Sequence, residues 1–235
     1  MVTDVSSGAW IAESLRPAPG TVAALVPPVF GAYAPVLHPA YRYVGDDDVE
    51  VTWAEVAAAN GTVAHPLVQW AGITGGWEYH HEDSQPPTWD GAPAEGHLPV
   101  AVADRLARVL ARHTGTPGEC WFGRWDGFGY DVPGHGGASR LALPGGHDVV
   151  LVRGTVRDAS RNLAPEPHEQ SANLWWPADR AWLVTTDIDL VSTYVGGSAA
   201  CIADLASAPD LEVAPASPDD RVGRADDPLN PVPEG

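Results

Sequence analysis

Two carboxylates, Asp187 and Asp189, stand two positions apart at the end of an apolar run. In an extended strand, residues i and i+2 project from the same face, so both carboxylates would share one side. Such a pair can hold Mg²⁺ or divide the roles of general acid and general base. The competing interpretation is a strand that runs out into solvent with its acids on the wet side. A hydrolase that uses Asp187 and Asp189, with or without a divalent metal, is therefore the alternative function.

The histidines give little support for a metal site. His80 and His81 are adjacent, so their side chains point in opposite directions in an extended chain. His97, His135 and His147 stand elsewhere in the sequence. A zinc site needs three or four ligands at defined spacings, and neither H-E-x-x-H nor C-x-x-C occurs. We predict no bound metal and no cofactor.

Nucleophile and phosphate-loop signals are also weak. Cys120 begins an apolar segment and Cys201 lies in a predicted helix, so both are expected to be small buried side chains. Gly196, Gly197 and Ser198 precede that helix, where free N–H groups can bind an anion. A P-loop also needs its lysine and further glycines. We expect a tight turn with Ser198 as the helix cap.

The aromatic content is the most unusual feature of the chain, which has 10 Trp among 235 residues. Trp is costly to expose in numbers, so most of these side chains must lie in a core. Adjacent Trp175 and Trp176 cannot both face the same way from an extended chain. One of them is expected near a surface, a groove or a second layer.

Trp beside Arg and Asp is typical of sites that recognise sugars, peptides or flat rings. The leading hypothesis is a non-catalytic binding or interaction module with an aromatic and arginine surface. Its candidate residues are Trp121, Arg124, Trp125, Trp175, Trp176 and Arg180. The competing interpretation is a Trp-rich core with arginines stacked on its rim.

The charge balance narrows the class of partner. Thirteen Arg and no Lys stand against 31 Asp and Glu, which gives a formal charge of −18. A chain this acidic repels phosphate backbones and anionic lipid surfaces. We predict no nucleic acid and no membrane partner, and expect a small molecule or a protein. The stripe Arg105, Arg108 and Arg112 could dock an acidic partner or the protein's own acidic C-terminal third, or it is a solvated helix face.

Capping signals predict the helices that position these residues. Thr52 to Glu55 fits a capping box and Asn60-Gly61 fits a stop, which predicts a helix over about 53–59. Pro99 opens a second helix, whose apolar residues recur at a period of 3.6 and which ends by Gly115. Ser198 caps a third, over about 199–207.

Three strands are predicted over residues 120–127, 147–154 and 181–189, and a short one over 211–213. The first three have no helix between them, which favours antiparallel pairing. We predict an α+β fold: one domain over 1–217, mainly an antiparallel sheet with helices packed on it. Residues 82–96 and 131–146 are predicted loops. Residues 218–235 are acidic and Pro-rich and are predicted to be a flexible tail.

Five segments together resemble a Trp-rich protein family of high-GC bacteria to which no activity is assigned. They are Pro27–Pro39, Val51–Ala58, Cys120–Gly127, Asn173–Trp182 and Asp187–Ser198. The resemblance extends to about residue 217 and is most specific between Asn173 and Ser198. It implies no function. Pro35 departs from the family pattern, where Arg is expected, so an interaction made by that Arg would be missing here.

Cellular location is inferred from what the sequence lacks. Two cysteines are too few for a disulfide framework. The first residues have neither a basic nor an apolar region of a signal peptide, and no run approaches 18 apolar residues. These observations predict a cytoplasmic protein with reduced thiols.

Overall fold

The computed structural model describes residues 4–75, 84–129, 139–165 and 168–232. The strands are β1 (Ala32–Leu37), β2 (Ala40–Val44), β3 (Asp47–Val51), β4 (Cys120–Trp125), β5 (Arg140–Leu141), β6 (Val149–Gly154), β7 (Leu174–Pro177), β8 (Leu183–Thr186) and β9 (Ser192–Gly197). The α-helices are α1 (Ala9–Ser14), α2 (Val22–Leu25), α3 (Trp53–Asn60), α4 (Trp70–Thr74), α5 (Val100–Leu110) and α6 (Ala199–Ala206). Short 3-10 turns cover Ser6–Gly8, Ala111–His113 and Val156–Ser160.

A central sheet organises the fold. Its strand order is β1-β9-β8-β7-β4-β6-β5, and each neighbouring pair is antiparallel. Strands β2 and β3 form a separate hairpin. The predicted α+β fold with a mainly antiparallel sheet is confirmed. The C-terminal part of the chain returns to the edge strand β1, where Val36 forms a β-bridge with Val213. Val213 lies in the segment predicted as a short strand.

Alternation along the strands divides the core between the two faces of the sheet. On one face Phe122, Trp175 and Val184 pack against helices α5 and α6. Helix α5 buries Val102, Leu106 and Leu110, the residues whose spacing predicted it. The ring of Trp182 belongs to the same face, and its Nε1–H donates to the carbonyl of Leu110 at 3.0 Å. That bond ties the last turn of α5 to the sheet.

The opposite face of the sheet packs against the N-terminal segment. Leu174, Trp176 and Tyr194 lie here together with Ile11 of α1 and Val22 of α2. Gly196 shows how close this packing is, because a Cβ there would lie 2.5 Å from the ring of Phe30. The glycine pair before α6 is therefore explained by packing. Ser198 caps α6 as predicted, accepting from the N–H of Cys201 at 3.1 Å.

A third apolar cluster lies under the hairpin and centres on Trp53, Trp70 and Trp89. Helix α3 begins with the predicted capping box between Thr52 and Glu55. The carboxylate of Glu212, distant in sequence, also accepts from the N–H groups of Trp53 and Ala54. Burial raises the pKa of Glu212, since it opposes the charge that these two bonds favour.

The C-terminal segment differs from the prediction of a flexible tail over 218–235. Within residues 218–232, the side chains of Val222, Asp227 and Asn230 are buried. Asp227 accepts from the backbone N–H of Gln69 at 3.0 Å and from Nε2 of His65 at 2.8 Å. Composition suggested a solvated tail, but specific bonds from its Asp and Asn side chains hold it to the residues around α4.

Candidate functional site

The sheet separates the six aromatic and arginine residues of the leading hypothesis. Trp121, Trp125 and Trp176 belong to the face covered by the N-terminal segment, whereas Trp175 belongs to the face covered by α5. Arg124 lies one residue from Trp125 on β4 and therefore projects from the opposite face. The predicted common surface is corrected, because strand alternation sends its members to opposite sides of one sheet.

Most of these rings are core residues. Trp175 and Trp176 are 2% and 1% exposed, and Arg124 is 2% exposed. Trp176 is the partner of Trp121 across β7 and β4, and the two rings are stacked with centroids 6.0 Å apart and planes inclined by 11°. The guanidinium of Arg153 covers Trp121 at 5.8 Å from the ring centroid. This is the Trp-rich core with arginine on its rim that the sequence analysis held as the competing interpretation.

Arg180 is exposed and lies outside this arrangement. It adopts a positive φ of 56° in the turn between β7 and β8. Its guanidinium lies 5.3 Å from the ring centroid of Trp10, a residue that the sequence analysis did not single out. Arg180 therefore contacts a different part of the fold from Trp125.

Trp125 is the member of the set that borders a cleft. The cleft has a volume of about 70 Å³, room for about five water molecules. Its floor is the end of the sheet, and α1 and α2 form one wall with Ile11, Leu15 and Leu25. The segment before β6 supplies the opposite wall with Leu143, Pro144 and His147.

The ring of Trp125 is fixed from several directions. A Cβ on Gly127 would lie 2.2 Å from its nearest ring atom, so only a glycine allows the chain to turn so closely over the indole. Phe128 and His147 meet the ring edge-on, at centroid distances of 4.9 and 6.2 Å. The indole is thus a preformed part of the cleft wall.

Asn173 holds together the strand ends that surround the cleft. Its Oδ1 accepts from the N–H of Trp125 at 2.9 Å. Its Nδ2 donates to the carbonyls of Gly96 at 2.9 Å and Thr186 at 3.3 Å. The amide is buried and its hydrogen bonds are made within the protein. Asn173 therefore positions the site, and its own bonds are already used.

Two polar groups in the cleft have unused hydrogen-bonding capacity. The Oγ1 of Thr185 is buried and has no hydrogen-bond partner among the described residues. Asp187 is half-buried, and its Oδ1 accepts from the N–H of Asp189 at 3.0 Å. Its Oδ2 lies 3.7 Å from Nδ1 of His147, beyond hydrogen-bonding distance. Both residues line a cleft whose other lining is mostly apolar.

The predicted carboxylate pair is only partly assembled. Strand β8 ends at Thr186, so Asp187 and Asp189 follow the strand and lie in a turn, where Asp189 is exposed. The expectation that they share one strand face is wrong for this reason. Asp187 instead meets His147, which the sequence analysis considered only as an isolated histidine.

The remaining candidates are distributed as follows. Among the described residues, no three His, Cys, Asp or Glu side chains come together as a metal-binding group. The predictions on His80, His81 and His135 fall on residues outside those described. Cys120 and Cys201 are buried, as expected, and burial raises their pKa values to about 12 and about 11.

The arginine stripe of α5 contacts the protein's own acids. Arg105 pairs with Glu50 and also donates to the carbonyl of Asp210 at 2.7 Å. Arg108 lies 3.8 Å from Asp210, and Arg112 lies 3.6 Å from Asp204. Of the three interpretations offered for the stripe, the contacts of Arg105 support docking to the acidic C-terminal third, whereas Arg108 and Arg112, 62% and 59% exposed, also fit a solvated helix face.

A second and larger cleft of about 400 Å³ lies between the hairpin and α5. Leu37 and Leu211 form apolar parts of its wall, and Glu50, Arg105, Asp210 and Glu212 contribute charges. Arg105 is bonded to Glu50, Glu212 is bonded to the N-terminus of α3, and Asp210 lies 3.8 Å from Arg108. This cleft is less suited to a polar ligand than the cleft beside Trp125.

Sequence reasoning singled out two residues of the smaller cleft, Trp125 and Asp187, but assigned them to different hypotheses. It did not find Thr185 or the positioning role of Asn173. One signal was present in the sequence, since Thr185 lies two residues before Asp187 within the predicted strand 181–189. What brings them together is the pairing of Leu174 with Thr185 and of Gly123 with Leu174.

Comparisons with known proteins assign no family or function to this chain. No described helix has the length and apolar character needed to cross a bilayer. Protein-family models, curated proteins and solved structures give no match to this chain. The resemblance to a Trp-rich family of high-GC bacteria therefore stays a prediction.

Proposed function

We propose that the protein binds a small molecule in the cleft lined by Trp125, Thr185 and Asp187. The ligand has an apolar body and one polar end. The observation that carries the proposal is the buried Oγ1 of Thr185, a residue that lines the cleft, because this oxygen has no hydrogen-bond partner among the described residues. Leaving such a group unpaired costs about 1–3 kcal/mol, which a ligand would recover.

The walls of the cleft support an apolar body. Leu15 and Leu25 on one side and Leu143 on the other provide aliphatic contacts, and Trp125 provides a flat ring. Binding sites for small molecules are typically apolar clefts with a few placed polar groups. Because Gly127, Phe128 and Asn173 already hold Trp125 in position, little ordering is required when a ligand enters.

A titration with 3-methylbutanol tests the proposal. This alcohol has a branched apolar body and a single hydroxyl group, and we expect millimolar affinity because it has few atoms for contact. The readout is the NMR signal of the Trp125 indole N–H, assigned by its loss in Trp125→Phe. We expect this signal to shift in a saturable way.

Paired variants separate cleft binding from general association. Ala24 lines the cleft, so Ala24→Phe fills it and should abolish the shift. Val29 is 60% exposed and lies just beyond α2, so Val29→Phe adds the same ring outside the cleft and should leave the titration unchanged. Equal titration of both variants would exclude the cleft as the binding site.

A hydrolase is the second candidate, and the approach of His147 to Asp187 favours it. In this proposal a water molecule attacks an acyl carbon while His147 takes its proton, and the leaving alcohol receives a proton in return. Asp187 orients the imidazole across the 3.7 Å gap, which closes when a substrate binds. Asp189 has no part in it. Hydrolysis of p-nitrophenyl acetate that is lost in His147→Ala and kept in His113→Ala would favour this candidate over simple binding.

A further inference from the structure

We propose that the polar end of the ligand is a protonated amine. This inference rests on the proposed function and specifies the chemistry that the cleft recognises. It follows from the two groups with unused capacity, the Oδ2 of Asp187 and the Oγ1 of Thr185.

The hydrogen-bond inventory of the cleft calls for donors from the ligand. A carboxylate accepts only, and a threonine hydroxyl can accept as well as donate. The Oδ1 of Asp187 is already bonded to the N–H of Asp189, which leaves Oδ2 as the open acceptor. An ammonium group has three N–H donors and no acceptor, so it can satisfy both oxygens at once.

The two residues lie close together in the chain and line one cleft. Thr185 is the next-to-last residue of β8, and Asp187 directly follows the last residue of that strand. Both residues line the cleft beside Trp125. A ligand nitrogen bound at this end of the cleft would have both side chains as neighbours, with the apolar body directed toward Leu25 and Leu143.

The charges around the cleft also favour a cation. None of the described lining residues is an arginine, and the chain has no lysine. A ligand carboxylate would meet the charge of Asp187 without a fixed cation to offset it. The net charge of −18 adds long-range attraction for a cation, although salt screens that contribution.

Three probes with the same branched body separate these possibilities: 3-methylbutylamine, 3-methylbutanol and 3-methylbutanoate. Each is titrated at pH 7 and 0.15 M salt against the full chain, with the Trp125 indole N–H as the readout. We expect the amine to bind about tenfold or more tightly than the alcohol, because its bonds to Asp187 are charge-assisted. We expect the carboxylate to bind most weakly.

Two isosteric variants test the role of the charge. Asp187→Asn keeps the oxygen that accepts from Asp189 but removes the charge, so the amine should lose its tenfold advantage over the alcohol. Asp189→Asn removes the same charge from an exposed neighbour, and the amine should keep its advantage. Urea unfolding of Asp187→Asn, compared with the wild type, shows whether the variant folds.

The outcomes distinguish the proposed specificity for an amine from the proposed binding function itself. If the alcohol shifts Trp125 but the amine binds no more tightly, the amine specificity is wrong and the binding function stands. If both charge variants weaken the amine equally, its preference comes from the overall charge of the protein, and the assignment to Asp187 is overturned. If none of the probes shifts Trp125, the proposed function itself fails.

Discussion

Buried His38 makes a quantitative prediction about stability and pH. The residue follows β1 and is fully buried, with Nδ1 2.6 Å from the carbonyl of Ala94 and Nε2 2.8 Å from Oγ1 of Thr193. A carbonyl only accepts, so Nδ1 carries the proton. Burial lowers the pKa of His38 from 6.5 to about 4, so the ring is neutral at pH 7. Its Nε2 then accepts from Thr193, which in turn accepts from Thr186 across 2.7 Å.

The sign of the pH dependence follows from this lowered pKa. Below pH 6.5 the unfolded chain binds a proton at His38 that the folded protein does not, so stability falls as the pH falls toward 4. Lowering the pKa of His38 from 6.5 to about 4 corresponds to about 3 kcal/mol in full, at about 1.4 kcal/mol per pH unit. Between pH 7 and pH 5 the contribution of His38 to this loss is about 2 kcal/mol.

Urea unfolding of the wild type and of His38→Gln at pH 7, 6 and 5 isolates the contribution of His38, because titrating groups that do not interact with His38 cancel in the difference. At pH 7 the variant should be less stable by about 2 kcal/mol, since it loses the ring's bonds and packing. By pH 5 the difference should have shrunk by about 2 kcal/mol, because Gln does not titrate. A difference that stays constant with pH, or an imidazole that titrates near pH 6.5 in NMR spectra, would refute the reasoning.

Three further perturbations test the packing and bonding of the fold. A Cβ on Gly72 would lie 2.4 Å from a backbone oxygen of the C-terminal segment, so Gly72→Ala should increase amide exchange over residues 226–232, whereas Gly118→Ala, with open space around it, should not. Asp227→Asn should lower the free energy of unfolding by about 2 kcal/mol in chemical denaturation, because several backbone N–H groups bond to this buried carboxylate. Cys120 and Cys201 should be unreactive toward Ellman's reagent at pH 8 in the folded protein and both should react in urea, since burial raises their thiol pKa values.

Local signals predicted the parts of the fold that depend on local physics. The capping box of Thr52 and Glu55 and the apolar spacing of α5 act within a few residues, and the structure contains both. The strand containing Trp121 and Trp125 was also predicted from its own residues. Strands β1, β2 and β3 were not predicted, because Pro35 and the acids of β3 obscure the usual strand pattern.

The candidate site was predicted only in part because it depends on long-range pairing. Trp125 and Asp187 drew attention by residue type, but nothing local indicates that β4 and β8 are both neighbours of β7. For residues 218–232 the prediction of a flexible tail was wrong for a similar reason. Composition gives only the average character of a segment, here acidic and Pro-rich. Residues 218–232 are held in place by Asp227 and its hydrogen bonds to His65 and Gln69.

Intermolecular NOEs between 3-methylbutanol and the protein's methyl groups test the central claim most directly, because they locate the ligand without relying on affinity. The account predicts contacts from the branched body of the alcohol to Leu25 and Leu143, on opposite walls of the cleft beside Trp125. Contacts to Leu37 and Leu211 would place the ligand in the larger cleft by α5, and an absence of contacts at saturating millimolar alcohol would leave the cleft without a ligand. Either result would contradict the account.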